Sequence, residues 1–204
     1  MSSGIPSSIQ SAPLLKQWVR LLDDGTFQIY SGKVELGQGI STALVKVACE
    51  ELGIHPDMVE LVAGHTANSP DEGYTAGSLS IEVGATALRH ACIRMRQLFA
   101  LQAAKHLAVD VQDLVLDQGI FGTGHTQEEI GFHALAKDIN FELIRADTPL
   151  DPSSDVKKVV RLPEEAFRRF DLKGKFTGPG FVHDMVRDHM LHARILRGPH
   201  AQAR

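Results

Sequence analysis

The chain has 204 residues, 43% of them hydrophobic, and a formal net charge of −4. This length is enough to bury a hydrophobic core, so we expect one large domain or two small ones. The charge, together with the absence of a long basic stretch, argues against a nucleic-acid partner. An aromatic content of 6% argues against a platform on which bases or sugars would stack.

The N-terminal residues are rich in Ser, Gly and Pro, which predicts a flexible leader over residues 1–15. This stretch lacks the cationic start and the apolar run of a signal peptide. No apolar stretch of the chain approaches the roughly 20 residues that cross a bilayer. We therefore expect no membrane span and a cytoplasmic location, with a periplasmic one left open. Cys49 and Cys92 fall in apolar helical patterns and are interpreted as core thiols.

Hydrophobic periodicity predicts regular elements along the first half of the chain. They are a strand at 18–22, an Asp-Gly turn at 23–25, a strand at 26–30, a helix at 41–52, a strand at 58–63, a polar loop at 64–76 and a long helix at 78–107. The apolar stripe of the long helix is typical of a helix that packs one face on a sheet.

The second half of the chain carries weaker patterns. They predict a hairpin at 113–121, a short helix at 127–136, a linker at 148–160, extended pieces at 172–176 and 182–185, and a strand at 191–197. The fold class that follows is α+β, a mixed sheet with two main helices packed on it. A partial, mainly β unit is expected over residues 161–204.

A first glycine-rich segment, Gly37-Gln38-Gly39, lies between a predicted strand and a predicted helix. Glycine lets the backbone come close to a ligand, and the amides of a helix start favour an anion or an electron-rich oxygen. The carboxamide of Gln38 can donate and accept hydrogen bonds without carrying charge. An ordinary strand-to-helix turn would have the same spacing. Neither a P-loop nor a dinucleotide-binding fingerprint is present.

A second segment, residues 73–80, leads into the long predicted helix and is rich in small residues and hydroxyls. Such residues at a helix start can form a phosphate cradle from amide and O–H donors. A simple helix cap with a flexible approach loop is the alternative interpretation.

Taken together, these segments resemble a known family. Residues 33–43 closely resemble a segment of the molybdopterin-binding subunits of the xanthine dehydrogenase and aldehyde oxidase family, and residues 68–81 resemble that family's second cofactor segment. The branch of isoquinoline 1-oxidoreductase beta-subunits and nicotinate dehydrogenases is the most similar. Residues 176–197 resemble the opening of that branch's hammerhead domain.

The resemblance implies a domain organisation and a set of cofactor contacts. Residues 16–147 would form part of a molybdopterin-binding domain, and residues 161–204 a truncated start of a hammerhead-type α/β unit. Gln38 would approach the molybdenum, with Gly37 and Gly39 shaping its loop, and the second segment would hold the pterin or its phosphate tail. The implied cofactor-binding residues are Gly37, Gln38, Gly39, Thr75, Ala76, Gly77, Ser78 and Ser80.

The resemblance also implies a cofactor, a reaction and partners. In the complete enzyme the cofactor would be molybdopterin, in its cytosine dinucleotide form, and this chain alone could lack it. The reaction would be a hydroxylation of aldehydes or N-heterocycles with oxygen from water. Electrons would leave through an iron–sulfur subunit. The family's catalytic glutamate lies well downstream, so no catalytic residue is assigned to Glu35, Glu50, Glu51 or Glu72. We expect this chain to be inactive without the missing C-terminal molybdopterin-binding portion.

Two other functions stay open at this stage. The chain could be a non-catalytic assembly module that keeps the fold, binds no cofactor and forms a homo-oligomer. It could also be a generic anion-binding domain that uses both helix starts. A histidine metal site is not expected, because His189 and His192 would point to opposite faces of an extended segment.

Overall fold

The structure is a computed structural model that describes residues 4–124, 127–159, 168–177 and 186–200. It divides into two compact units, residues 1–169 and residues 170–204. The α+β class is confirmed, but the first unit contains two sheets rather than one mixed sheet.

The first sheet has the strand order β1-β2-β3, with β1 at Val19–Leu21, β2 at Phe27–Ser31 and β3 at Val59–Ala63. Strands β1 and β2 form an antiparallel hairpin, whereas β2 and β3 run parallel, with Ser31 opposite Ala63. A parallel pair needs a crossover connection. Helix α2, Ile40–Leu52, provides it. The carboxyl ends of β2 and β3 therefore lie at the same edge of the sheet.

The second sheet has the order β6-β5-β4-β7. Its strands are β4 at Leu114–Asp117, β5 at Ile120–Thr123, β6 at Glu129–Gly131 and β7 at Lys157–Val159. The predicted hairpin at 113–121 corresponds to β4 and β5. The short helix predicted at 127–136 is instead a strand, β6, followed by helix α4 at Phe132–Ala136.

The long helix predicted at 78–107 ends where expected but begins differently. A turn of π-helix at Ser80–Ala85 leads into helix α3, Thr86–Leu107. Short 3-10 turns occur at Leu15–Gln17, Pro56–Met58, Val111–Asp113, Phe141–Leu143 and Pro152–Ser154.

A cluster of aromatic rings forms the centre of the core. The ring of Phe132 meets those of Phe27, Phe99 and Phe121 edge-on, at centroid distances of 5.0, 4.7 and 5.1 Å. Each such pair stabilises the core by about 0.5–1.5 kcal/mol beyond the effect of burial. Because Phe27 lies on β2 and Phe121 on β5, this cluster joins the two sheets.

The prediction of a flexible leader over residues 1–15 is wrong for the described part of that stretch. Helix α1 forms at Ser7–Ser11, and Ile9 is fully buried in the core. The indole Nε1 of Trp18 donates a hydrogen bond to the carbonyl of Ala12, at 2.7 Å. The Ser-rich composition hid one buried apolar side chain that anchors the segment.

The linker predicted at 148–160 is also wrong over its described residues. Strand β7 pairs in parallel with β4, and Val156 is buried. The turn-forming residues cap a 3-10 turn instead of leaving the fold, since the Asp151 carboxylate accepts hydrogen bonds from the amide and the hydroxyl of Ser153. The boundary between the two units lies after Arg169.

The second unit differs from the extended hammerhead start that the sequence suggested. Residues 172–176, predicted as extended, lie in helix α5 at Asp171–Thr177, where Lys175 pairs with Asp171 one turn away. Residues 191–197 form no strand, because an alternating pattern needs a partner strand and none pairs with it among the described residues. The extended piece predicted at 182–185 lies outside the described residues.

Candidate functional site

Two loops leave the first sheet at the edge where the parallel strands end. The first loop, residues 32–39, connects β2 to α2, and the second loop, residues 64–79, connects β3 to the π-turn before α3. The amide of Gly64 donates to the carbonyl of Ser31 at 2.8 Å, so the two loops start side by side. Ligands of α/β sheets commonly bind at the carboxyl ends of parallel strands.

Glu72 and Lys33 bind the two loops to each other. One carboxylate oxygen of Glu72 accepts hydrogen bonds from the Ser31 hydroxyl, at 2.7 Å, and from the Gly32 amide, at 2.6 Å. In return, the Lys33 ammonium donates to the carbonyls of Glu72, at 2.7 Å, and Tyr74, at 3.0 Å. Lys33 is only 1% exposed, so these carbonyls, rather than water, stabilise its ammonium group.

A third contact and a close backbone approach complete the junction. The amide of Val34 donates to the Thr75 hydroxyl at 3.0 Å. A Cβ atom at Gly32 would lie 2.4 Å from the carbonyl oxygen of Pro70, so only glycine allows this approach. We call Lys33, Glu72 and Thr75 the inter-loop clamp.

The first loop is closed by its own carboxylate. One oxygen of Glu35 accepts hydrogen bonds from the amides of Gly37, at 2.8 Å, and Gly39, at 2.9 Å, and the other accepts from the amide of Ser41, at 3.1 Å. The sequence predicted that amides at this helix start would favour an anion, and the carboxylate of Glu35 already occupies them. The anion at the start of α2 is a side chain of this protein.

Gln38 is exposed and folds back over the same loop. Its carboxamide oxygen accepts from the Leu36 amide at 2.6 Å, and its nitrogen donates to the Val34 carbonyl at 3.0 Å. A carboxamide has two N–H donors and two acceptor positions. One donor and one acceptor therefore remain for a ligand.

The second loop is open, in the sense that no described side chain occupies the amides at its helix start, whereas Glu35 closes the first loop. Gly77 and Ser78 have φ angles of +63° and +59°, and Ala76, Gly77 and Ser78 are exposed. Within the part of the chain that the structure describes, no side chain accepts a hydrogen bond from the amides of residues 76–81. Gly84 in the π-turn lies against the inter-loop clamp, since a Cβ there would be 3.0 Å from both Glu72 and Lys33. π-turns of this kind occur frequently at functional sites.

The predicted site residues are thus only partly brought together. Thr75 contacts the first loop directly. A cleft of about 350 Å³ beside the loops is lined by Gly32 and Val34 and by residues 64–66 and 69–73. It is lined by neither Gln38 nor Ser78, so the contact of both residues with one cofactor stays a prediction.

Sequence reasoning missed the residues that hold this site in shape. Glu35, Lys33 and Glu72 were noticed only as parts of a motif, yet their side chains make the contacts that set both loops. The signal available for Glu35 was its position two residues before Gly37, from which a carboxylate can reach the amides of a tight turn.

An ion-pair network fixes the two helices behind the loops. Glu51, at the end of α2, pairs with Arg96 of α3 at 2.7 Å and with Lys158 of β7 at 2.9 Å, while Arg96 also pairs with Asp155 at 2.7 Å. Glu51 is 4% exposed and Arg96 2%. Burial opposes ionisation of Glu51, but hydrogen bonds from Lys158 and Arg96 outweigh it, and the pKa of Glu51 lies below its usual range.

The two cysteines are buried, free core thiols, as predicted. Burial raises the pKa of Cys49 to about 12 and that of Cys92 further still, so neither is a reactive thiolate. The described residues contain no group of three or more metal-ligating side chains. Among them there is also no helix long and apolar enough to cross a membrane.

Comparison with known proteins assigns the chain to a family. A family model described as a molybdopterin cofactor-binding domain matches residues 2–167. A nicotinate dehydrogenase subunit of Pseudomonas putida is 33% identical over 98% of this chain, which spans 17% of that protein. Aldehyde oxidase 4 of Rattus norvegicus is 36% identical over 36% of this chain and 6% of its own length.

Solved structures agree with this assignment. CO dehydrogenase from Oligotropha carboxidovorans superposes with a TM-score of 0.53 at 27% identity, over 58% of this chain and 15% of that one. The chain thus spans a small part of the relatives it matches. On these matches, it belongs to the molybdopterin-binding subunits of the xanthine dehydrogenase and aldehyde oxidase family.

Proposed function

We propose that this chain supplies part of the molybdenum-cofactor site of an oxidoreductase that hydroxylates aldehydes or N-heterocycles with oxygen from water. One observation carries the proposal: the two family segments leave the same sheet edge and are joined by the inter-loop clamp. A ligand that meets one loop at this edge is within reach of the other.

The donors at this edge fit such a cofactor. The pterin is a neutral, hydrogen-bonding ring system, and its tail carries phosphate. The remaining N–H and acceptor of Gln38 suit a neutral polar group. The uncapped amides at the start of the π-turn and the hydroxyls of Ser78 and Ser80 suit an anionic one.

Each residue then has a stated role. Gln38 donates its remaining N–H towards the metal end of the cofactor, and Gly37 and Gly39 give its loop the backbone angles that this needs. Residues 75–80 hold the pterin or its phosphate tail. When bound, the cofactor supplies the two-electron oxidation chemistry. Glu35 and Glu72 do not act as the base in this proposal, because their carboxylates already bind backbone amides.

The finer assignments rest on the family resemblance. They are the cytosine dinucleotide form of the cofactor, an iron–sulfur subunit as electron partner, a further molybdopterin-binding portion and a cytoplasmic location. The Pseudomonas relative is a dehydrogenase subunit, which is consistent with a multi-subunit enzyme.

The proposal is tested by analysing what the chain binds. The 204-residue chain is produced in a host that makes the cytosine dinucleotide cofactor and in a matched host that makes no molybdopterin. We expect molybdenum near one per chain, with pterin fluorescence and released cytidine monophosphate, from the first host only. Gln38→Ala should lower the molybdenum content severalfold, whereas Gln10→Ala, an exposed change in α1, should not. A folded chain from the competent host with neither metal nor pterin would contradict the proposal.

A second function, a non-catalytic assembly module, is favoured by one observation. Apolar side chains surround the loops in exposed positions, namely Val34, Leu36, Tyr74, Leu79 and Ile81. Exposed apolar patches commonly mark interaction surfaces. A stable dimer without molybdenum in sedimentation experiments would support this function over the first.

A further inference from the structure

One arginine far along the chain reaches the first loop. The guanidinium of Arg169 donates a hydrogen bond to the carbonyl oxygen of Gly37 at 3.0 Å, across 132 residues of sequence. A second guanidinium nitrogen lies 3.8 Å from a carboxylate oxygen of Glu35. No pattern in the sequence had marked Arg169 as part of the site.

The stem of the same side chain lies across Gly39. A Cβ atom built on Gly39 would be 3.4 Å from both Cδ and Nε of Arg169, which is van der Waals distance. Gly39 has a φ of +85°, in the left-handed region that favours glycine. Arg169 therefore binds the Gly37 carbonyl, pairs with the Glu35 carboxylate and lies beside Gly39.

These contacts fix the backbone on both sides of Gln38. The carbonyl of Gly37 belongs to the peptide that precedes Gln38, and Arg169 holds it. The amide of Gly39 belongs to the peptide that follows Gln38, and Glu35 holds it. With both peptide planes fixed, the φ and ψ angles of Gln38 are fixed as well, and so is the direction in which its side chain leaves the backbone.

The charges support the same arrangement. The Glu35 side chain is largely buried and accepts three amide hydrogen bonds, so its negative charge needs a positive neighbour. A planar guanidinium can bind a carbonyl and face a carboxylate at once, whereas the compact ammonium of a lysine cannot hold both in this geometry.

We propose that Arg169 is a positioning residue for Gln38, acting through the carbonyl of Gly37 and the carboxylate of Glu35. The positioning itself depends only on the loop. Its consequence for the cofactor rests on the proposed function, in which Gln38 faces the metal end.

The test is amide hydrogen exchange of the full chain, measured residue by residue by NMR. In Arg169→Gln, exchange at Gly37, Gly39 and Ser41 should rise about tenfold, the change expected for losing one charge-assisted hydrogen bond. Arg169→Lys should restore only part of the protection. The matched control is Arg168→Gln, which alters the exposed neighbouring residue. Equal exchange in the Arg169→Gln and Arg168→Gln variants would overturn the proposal.

A molybdenum measurement on the same variants separates this proposal from the proposed function. If the wild-type chain holds molybdenum, Arg169→Gln should hold severalfold less and Arg168→Gln the same amount. If the wild-type chain holds none while the exchange rates change as expected, the positioning role stands and the proposed function fails. Normal molybdenum content in Arg169→Gln despite faster exchange would overturn the role of Arg169 in presenting Gln38 to the cofactor.

A thermal melt of each variant identifies any that fails to fold. If Arg169→Gln fails to fold, Arg169→Lys is compared with the wild-type chain instead.

Discussion

The first and second loops look alike in sequence and differ in structure. Both follow parallel strands, both contain glycines with positive φ, and both lead into a helix. In the first loop, Glu35 already occupies the amides of the helix start. In the second loop, no described side chain occupies the amides of residues 76–81. A glycine-rich helix start therefore predicts an anion site only when no nearby carboxylate reaches its amides.

Because of this difference, the two loops suit different chemical groups of a ligand. The closed first loop offers a ligand a neutral carboxamide, that of Gln38. The open second loop offers hydroxyls and backbone amides that no described side chain occupies, which suit an anion. The difference also weakens the interpretation as a generic anion-binding domain, because that function needs both helix starts to be free.

The largest effect is expected from a change in the ion-pair network that fixes α2 and α3 behind both loops. Glu51→Ala takes from buried Arg96 one of its two carboxylate partners and leaves only Asp155, so we expect a loss of about 3 kcal/mol in the free energy of unfolding. Urea denaturation measures it. The control Glu50→Ala breaks only the exposed pair with Lys46 and should cost less than about 0.5 kcal/mol. Equal losses in the two variants would mean that the network does not fix the helices.

The same network gives a pH dependence. The pKa of Glu51 is lower in the folded chain than its ordinary value of 4.5. Its contribution to stability is therefore fully present above about pH 4.5 and is lost as pH falls through the lower, folded-state pKa. The difference in unfolding free energy between wild type and Glu51→Gln should shrink as pH falls below about 4.5. A difference that grows on acidification would show the opposite sign.

The next effect should appear in the first loop and not in the second. Glu35→Gln removes the charge that accepts three amide hydrogen bonds, and we expect a loss of about 2 kcal/mol in stability. Hydrogen exchange should speed up at Gly37, Gly39 and Ser41 and stay unchanged at residues 76–81. Glu82→Gln, an exposed change in the π-turn after the second loop, is the matched control and should leave the first loop protected. Faster exchange in both loops would show that they do not differ in this way.

A smaller effect tests the junction between the loops. Thr75→Val keeps the shape of the side chain but removes the oxygen that accepts from the Val34 amide, so we expect a loss of about 1 kcal/mol. Thr75→Ser keeps that oxygen and serves as the control. The result that contradicts the clamp is equal stability of the valine and serine variants in thermal melts.

The smallest effect concerns strain in the second loop. Ser78 has a φ of +59°, which costs a residue other than glycine roughly 1–2 kcal/mol. Ser78→Gly relieves this strain, but glycine also makes the unfolded chain more flexible. The free energy of unfolding should therefore rise by only about 0.5 kcal/mol. If Ser78 serves the cofactor, the same variant should bind less molybdenum. A variant that loses stability would show that Ser78 is not strained, and unchanged molybdenum content would show that its hydroxyl is dispensable.

Hydrophobic periodicity was sufficient to predict the strand and helices that position the site. The alternation in β2 and the apolar stripes of α2 and α3 are local patterns, and those elements lie close to where they were predicted. The order strand, glycine-rich loop, helix then placed both loops at the ends of strands. The family segments added a prediction of which residues face the cofactor, but not how those residues are held.

What the sequence did not indicate depends on contacts that are distant along the chain. Ile9 is buried only because the folded core receives it, and its own neighbours have the composition of a flexible leader. Strand β7 has three residues, too few for a visible alternation, and forms because β4 offers an edge. The closing of the first loop by Glu35 and the reach of Arg169 depend on loop geometry, which no spacing rule specifies.

The central claim is that two unlike loops at one sheet edge hold one molybdenum cofactor. The most direct test compares amide hydrogen exchange of the chain with and without bound cofactor, residue by residue. We predict that the cofactor slows exchange at residues 76–81, while Gly37, Gly39 and Ser41 are already slow without it and change little. New protection at Gly37, Gly39 and Ser41 with none at residues 76–81, or no change at either loop on binding, would contradict the claim.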